Sequence, residues 1–130
     1  MTKILHIIAS PREDSFSTRA AKSFIAAVLE NSSDVEIETL DLTKAMLPEF
    51  DAPSAKAKYA IMGGAAPQGK AEKSWEHVKE IIDHFKSADA YVISSPMWNF
   101  GVPYYLKHYI DIIVQPGMSF GYSPEKGYEG

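Results

Sequence analysis

Cysteine is absent from the 130 residues, which excludes a disulfide framework, a thiolate nucleophile and a thiolate-ligated metal. Basic clusters are missing as well. Thirteen Lys and Arg face seventeen Asp and Glu, and the net charge of −4 leaves no electrostatic footprint for nucleic acid or an anionic membrane. No stretch approaches the ~20 apolar residues of a membrane span. The short apolar run after Lys3 gives way at once to Pro11-Arg12-Glu13-Asp14, so it is too short for the ~7–15-residue core of a signal peptide. A cytoplasmic location is expected. His6, His77, His84 and His108 show no paired ligand spacing, and no motif sets two carboxylates together. Neither a metal site nor a catalytic side chain is therefore expected, and the chemistry must come from a cofactor.

Hydrophobic residues make up 45% of the chain, enough for one globular core. Ile4-Leu5-His6-Ile7-Ile8-Ala9 reads as a strand buried on both faces, and Ala90-Tyr91-Val92-Ile93-Ser94 as a second such strand. Between them, Val35-Glu36-Ile37-Glu38-Thr39-Leu40 alternates with period two, the pattern of a half-covered edge strand. Ala21, Phe24, Ile25, Val28 and Leu29 share one face of a helix. Residues 44–69 carry scattered Pro and Gly and read as a long loop with a weakly signalled helix near 55–61. Trp75, Val78, Ile82 and Phe85 mark a clear helix, and Pro103 opens a last one that Pro116-Gly117 stops. Strands alternating with helices imply a single α/β domain over residues 1–130, with a parallel sheet and right-handed crossovers.

Two loops then stand at the carboxyl ends of buried strands, where open α/β sheets bind their ligands. The first, Ser10-Pro11-Arg12-Glu13-Asp14-Ser15-Phe16-Ser17-Thr18, sets hydroxyls beside the free amides of a helix N-terminus. Such a place suits a phosphate, although a serine there can equally be a plain helix cap. It has neither the glycines of a P-loop nor a dinucleotide fingerprint. The second loop, Ser95-Pro96-Met97-Trp98-Asn99-Phe100-Gly101-Val102-Pro103, gathers two aromatics, a thioether and an amide. A flat heteroaromatic ring needs apolar faces and a few edge hydrogen bonds, which these residues can supply.

Together with Leu40-Asp41-Leu42 and Gly117-Met118-Ser119-Phe120-Gly121-Tyr122, these two loops resemble the FMN-dependent NADH:azoreductases, relatives of the NAD(P)H:quinone oxidoreductases. The Pro-Met-Trp-Asn-Phe segment is the specific part of the likeness. The resemblance implies a flavodoxin-like, doubly wound parallel sheet and a homodimer. It also implies that FMN phosphate and ribityl groups are held by Ser10, Phe16, Ser17 and Thr18, and the ring by Pro96, Met97, Trp98, Asn99 and Phe100. Trp98 stands where many members carry tyrosine. The family is longer than this chain, so the expected sheet is 2-1-3, with the fourth and fifth strands absent. The implied activity is electron transfer from NADH to quinones and azo compounds, by a ping-pong mechanism because one open ring face must serve both partners.

Three other readings compete. A flavodoxin-type electron carrier would have a tighter Thr/Ser-Gly phosphate loop and a more acidic surface. A phosphoacceptor receiver domain needs an aspartate where Ser94-Ser95-Pro96 stands. An inactive truncated fragment remains open.

Overall fold

The computed structural model describes residues 1–130 as β1 (Thr2–Ile8), α1 (Phe16–Asn31), β2 (Val35–Asp41), α2 (Ala52–Met62), α3 (Lys70–Lys86), β3 (Ala90–Ser94), α4 (Tyr104–Ile113), β4 (Gly121–Ser123) and β5 (Gly127–Glu129). Two compact units share these elements: residues 1–47 with 87–109, and residues 48–86 with 110–130.

In the first unit β1 lies between β2 and β3 in a parallel sheet of order 2-1-3, as expected. Leu5 and Ile7 are buried on one face of β1, and Ile4, His6 and Ile8 on the other. Cover on both faces is why this strand is apolar without alternation. β2 pairs with β1 alone and is half-covered along most of its length, but its burial alternates only from Val35 to Ile37; Glu38 is half-covered and Thr39 exposed. β3 departs from the sequence reading. Tyr91 and Ile93 are exposed while Ser94 is buried. β3 pairs on one edge only, so alternate side chains lie beyond the cover that β1 enjoys.

Helix α1 starts where Ser15 caps it, the Ser15 hydroxyl accepting from Thr18 N at 3.4 Å. Its inward line is Thr18, Ala21, Ile25 and Val28; Phe24 and Leu29, at helical spacing with them, are exposed. Main-chain bonds tie β3 to β1 at both ends, Asp89 N to Lys3 O (2.8 Å) and Ala9 N to Ser94 O (2.9 Å). Between them, His6 Nε2 and Ser94 Oγ share a buried hydrogen bond of 3.0 Å.

In the second unit α2 is better formed than its weak periodicity predicts. Asp51 caps it by accepting from Ser54 N (3.2 Å), Pro53 sits in the first turn, and Gly63 ends it. It packs on α3, along which Trp75, Val78 and Ile82 are buried. Here one expectation is overturned: further strands do come after β3. β4 and β5 form a separate two-stranded antiparallel sheet, with Tyr122 opposite Tyr128 and their rings 4.9 Å apart. The turn between them is held by Lys126 N donating to Ser123 Oγ at 3.1 Å, and Gly127 takes a left-handed φ of 75°. Three-residue strands are too short for alternation to register. The signal was the repeated Gly-Tyr on either side of Ser-Pro-Glu-Lys. No helix of the chain is long and apolar enough to cross a membrane.

Burial holds His6 below its ordinary pKa of 6.5, with the Lys22 ammonium on α1 adding to the effect. Below 6.5 the unfolded chain therefore binds a proton that the folded chain refuses. This contribution to stability is whole above the unfolded value and is lost as pH falls through the folded one. Urea midpoints should fall from about pH 7.5 to about pH 5.5, and fall less in His6→Phe. Identical pH slopes in the two proteins would show that His6 plays no part.

Candidate functional site

The ends of β1 and β3 are neighbours, since Ile8 pairs with Ser94 and Ala9 N donates to Ser94 O. The loops that leave them, residues 10–15 and 95–103, therefore emerge side by side from the carboxyl edge of the sheet. β2 lies on one side of β1 and β3 on the other, so this edge is also where the strand order reverses.

The first loop presents a helix N-terminus. Ser15 Oγ lies 2.9 Å from Ser17 Oγ, and Ser10 is nearly buried, its Oγ accepting from Arg12 N at a long 3.4 Å. Ser15 takes up two of the first amides of α1, Thr18 N by its hydroxyl and Arg19 N by its carbonyl. The amides of Phe16 and Ser17 sit at the open end of the helix, where the macrodipole favours an anion. The Phe16 ring is engaged elsewhere, with the Arg12 and Arg19 guanidinium groups 5.6 and 5.9 Å from its centroid. The main chain of Phe16 is the part it can offer a ligand. Thr18 Oγ1 is buried and has no hydrogen-bond partner within the chain. Asp14 is turned away by Arg12, whose Nε and Nη2 donate to its two oxygens at 2.8 and 3.3 Å. That pairing lowers the Asp14 pKa and offsets the acidity of the loop.

The second loop is a tight reversal. Trp98 N donates to Gly101 O (2.9 Å) and Gly101 N to Trp98 O (3.0 Å), leaving Asn99 and Phe100 as the two central residues. Both have left-handed backbones, with φ of 50° and 63°. Two positive φ values define a turn that ordinarily carries Asn-Gly. Asn99 suits it; Phe100 is strained there, and its ring is 94% exposed. Met97 is 73% exposed and Trp98 is 39% exposed. Trp98 stands beside the stacked pair Tyr104–Tyr105, with ring centroids 6.3 and 6.4 Å away. Ser95 Oγ donates to Pro96 O at 2.9 Å and stiffens the loop entry.

Of the nine residues singled out from the sequence, Ser10 lies in the first loop, Phe16, Ser17 and Thr18 in the first turn of α1, and Pro96, Met97, Trp98, Asn99 and Phe100 in the second loop, all within one unit. Ser15, a candidate plain cap by sequence, is indeed a cap and also joins the hydroxyl pair. The strained turn was not read from the sequence, because Asn-Phe lacks the glycine that would announce it. A cavity of about 270 Å³ opens on the β2 side of the first loop, bounded by Ile8, Ser10, Arg12, Thr18, Asp41 and Thr43. Larger cavities of about 470 and 390 Å³ lie in the second unit, beside Gly117 and Trp75, and none of the nine candidate residues lines them.

Comparison with known proteins identifies the family of the fold. The family model described as "flavodoxin-like fold" matches residues 2–130, and the chain belongs to that family. Within it, the chain is 50% identical to an FMN-dependent NADH:quinone oxidoreductase of Desulfotalea psychrophila and 48% identical to one of Ruegeria pomeroyi. All of this chain is covered in both matches, and it spans 62% and 64% of those relatives. Among solved structures, an FMN-dependent NADH-azoreductase of Bacillus anthracis in complex with FMN superposes with a TM-score of 0.83 at 32% identity. That match covers 100% of this chain and 63% of the azoreductase.

The strain at Phe100 has a measurable cost. A left-handed backbone costs a non-glycine residue about 1–2 kcal/mol. Phe100→Gly should therefore raise the unfolding free energy by about 1 kcal/mol, because an exposed ring forfeits little on removal. A lower denaturation midpoint in this variant would contradict the assignment of strain.

Proposed function

We propose that residues 1–130 form a flavodoxin-like domain of an FMN-dependent oxidoreductase that passes electrons from NADH to quinones and azo compounds. The observation that carries this reading is the adjacency of two complementary loops. One offers helix-terminal amides and hydroxyls for a phosphate, and the other exposes flat apolar groups with an amide for a ring. The donor set fits FMN: uncharged hydroxyls and amides for its phosphate, with the loop's own acids disposed of, Asp14 by Arg12 and Glu13 by exposure.

In this reading Ser10 and Ser17 hydroxyls and the amides of Phe16 and Ser17 hold the phosphate and ribityl chain, with Thr18 in the same turn. Residues 96–100 hold the ring. Pro96 fixes the entry, Met97, Trp98 and Phe100 give apolar contact, and Asn99 gives edge hydrogen bonds. When bound, FMN supplies the two-electron exchange between NADH and the acceptor. The chain's own work is to orient the ring and to keep one apolar surface open to flat partners. Because donor and acceptor share that surface, they bind in turn, which is ping-pong kinetics. No side chain acts as an obligatory acid or base. The exposed Met97, Phe100, Val102 and Tyr104 support a second copy of the chain as partner, and the reading takes the protein to work in the cytoplasm.

Ser17→Ala removes one charge-assisted hydrogen bond, worth roughly 1.5–3 kcal/mol, and should weaken FMN about tenfold or more in a fluorescence titration. Unchanged affinity would take Ser17 out of the phosphate site. With flavin bound, initial rates against NADH at several acceptor concentrations should give parallel double-reciprocal lines. Intersecting lines would mean that donor and acceptor occupy the protein together.

A further inference from the structure

His6 is a polar residue in the most deeply buried strand of the sheet, and the flavin site gives it no direct role. It is 1% exposed, and the Ser94 hydroxyl it meets at 3.0 Å belongs to a residue 2% exposed. In register His6 stands opposite Val92, and Ser94 is the next residue of β3 on the same face. The imidazole therefore reaches diagonally, toward the carboxyl end of the sheet. Ser94 is held twice by β1, through its side chain by His6 and through its carbonyl by Ala9 N at 2.9 Å. It is the last residue of β3, three positions before Met97.

The segment beyond Ser94 needs an anchor. The main-chain bonds of the turn at residues 98–101 close on the turn itself, through Trp98 and Gly101, and hold Asn99 and Phe100 in left-handed conformations. Its far side is pinned by Pro103, which is fully buried and whose carbonyl accepts from Leu106 N and Lys107 N at the start of α4. Its near side has Ser94. Strained conformations persist only where the surroundings over-determine them. An apolar residue at position 6 would fill the same space without this tie, and would leave the Ser94 hydroxyl buried with no partner from β1.

We propose that His6 is a positioning residue: through the Ser94 hydroxyl it fixes the end of β3, and with it the orientation in which residues 97–100 meet the ring of a bound flavin. His6 touches no ligand itself. Lys22 of α1 is the charged group that acts on it, while β2 and β3 place Thr39 and Val92 beside it in register. The proposal rests on the flavin reading for its ligand, but the anchoring itself can be measured without one.

The experiment uses the 130-residue chain with His6→Phe, Ser94→Ala, Ser94→Thr and the double variant His6→Phe/Ser94→Ala. Two quantities are read: FMN affinity, and hydrogen-exchange protection of the Trp98 and Gly101 amides in the flavin-free protein. His6→Phe and Ser94→Ala should each weaken FMN about tenfold, with the double variant no weaker than either single one. Ser94→Thr should restore binding. Protection at Trp98 and Gly101 should drop about tenfold in the same variants, while amides of β2 keep theirs. A merely structural role would lower protection across the whole sheet, would give additive losses, and would overturn the proposal. So would normal protection at Trp98 and Gly101 in both single variants. If the unaltered chain takes up no FMN, the flavin reading fails, and the exchange data alone decide whether His6 anchors the loop.

Discussion

Strand β1 is paired along both edges and covered on both faces, and everything else in its unit takes position from it. A strand so enclosed cannot leave a main-chain group unpaired without cost, so β2 and β3 are drawn to full register on either side. Its parallel neighbours require crossovers, and between β1 and β2 that crossover is α1. The carboxyl ends of β1 and β3 are thereby forced together with no element between them. The loops at that edge meet because the strands beneath them do.

The division of labour comes from that constraint. The scaffold is apolar and tightly buried, with Leu5 and Ile7 on one side and His6 and Ile8 on the other. The loops carry the exposed and conformationally costly residues: an open helix end at Phe16 and Ser17, and a left-handed pair at Asn99 and Phe100. Strain at a binding loop is tolerable when the strands below are rigid, and here a buried side-chain bond joins strand to loop root.

Much of this was legible in the sequence, for identifiable reasons. The continuous apolar run at 4–9 announces a doubly covered strand, and the alternation at 35–40 an edge. Serines before a helix and aromatics after a strand mark the two loops, although the first loop ends at Ser15 and Phe16, Ser17 and Thr18 already belong to α1. The features that escaped were non-local or too short to show a period. His6 and Ser94 are 88 positions apart, and nothing near either one names the other. The hairpin of β4 and β5 has three residues per strand, fewer than two full alternations. α2 has little amphipathic pattern and is declared by its cap, Asp51 followed by Pro53, more than by its face. The exposure of Tyr91 and Ile93 was hidden because an apolar run does not say whether its strand is central or at an edge.

The central claim is that the adjoining ends of β1 and β3 make a flavin site, and the most direct measurement is amide chemical-shift mapping of the chain titrated with FMN. Saturable shifts should appear at residues 10–18 and 95–101, the Phe16 and Ser17 amides moving as a helix N-terminus does when it takes a phosphate. Shifts confined to the second unit, around Trp75 or Gly117, or no saturable shift at all, would contradict the account.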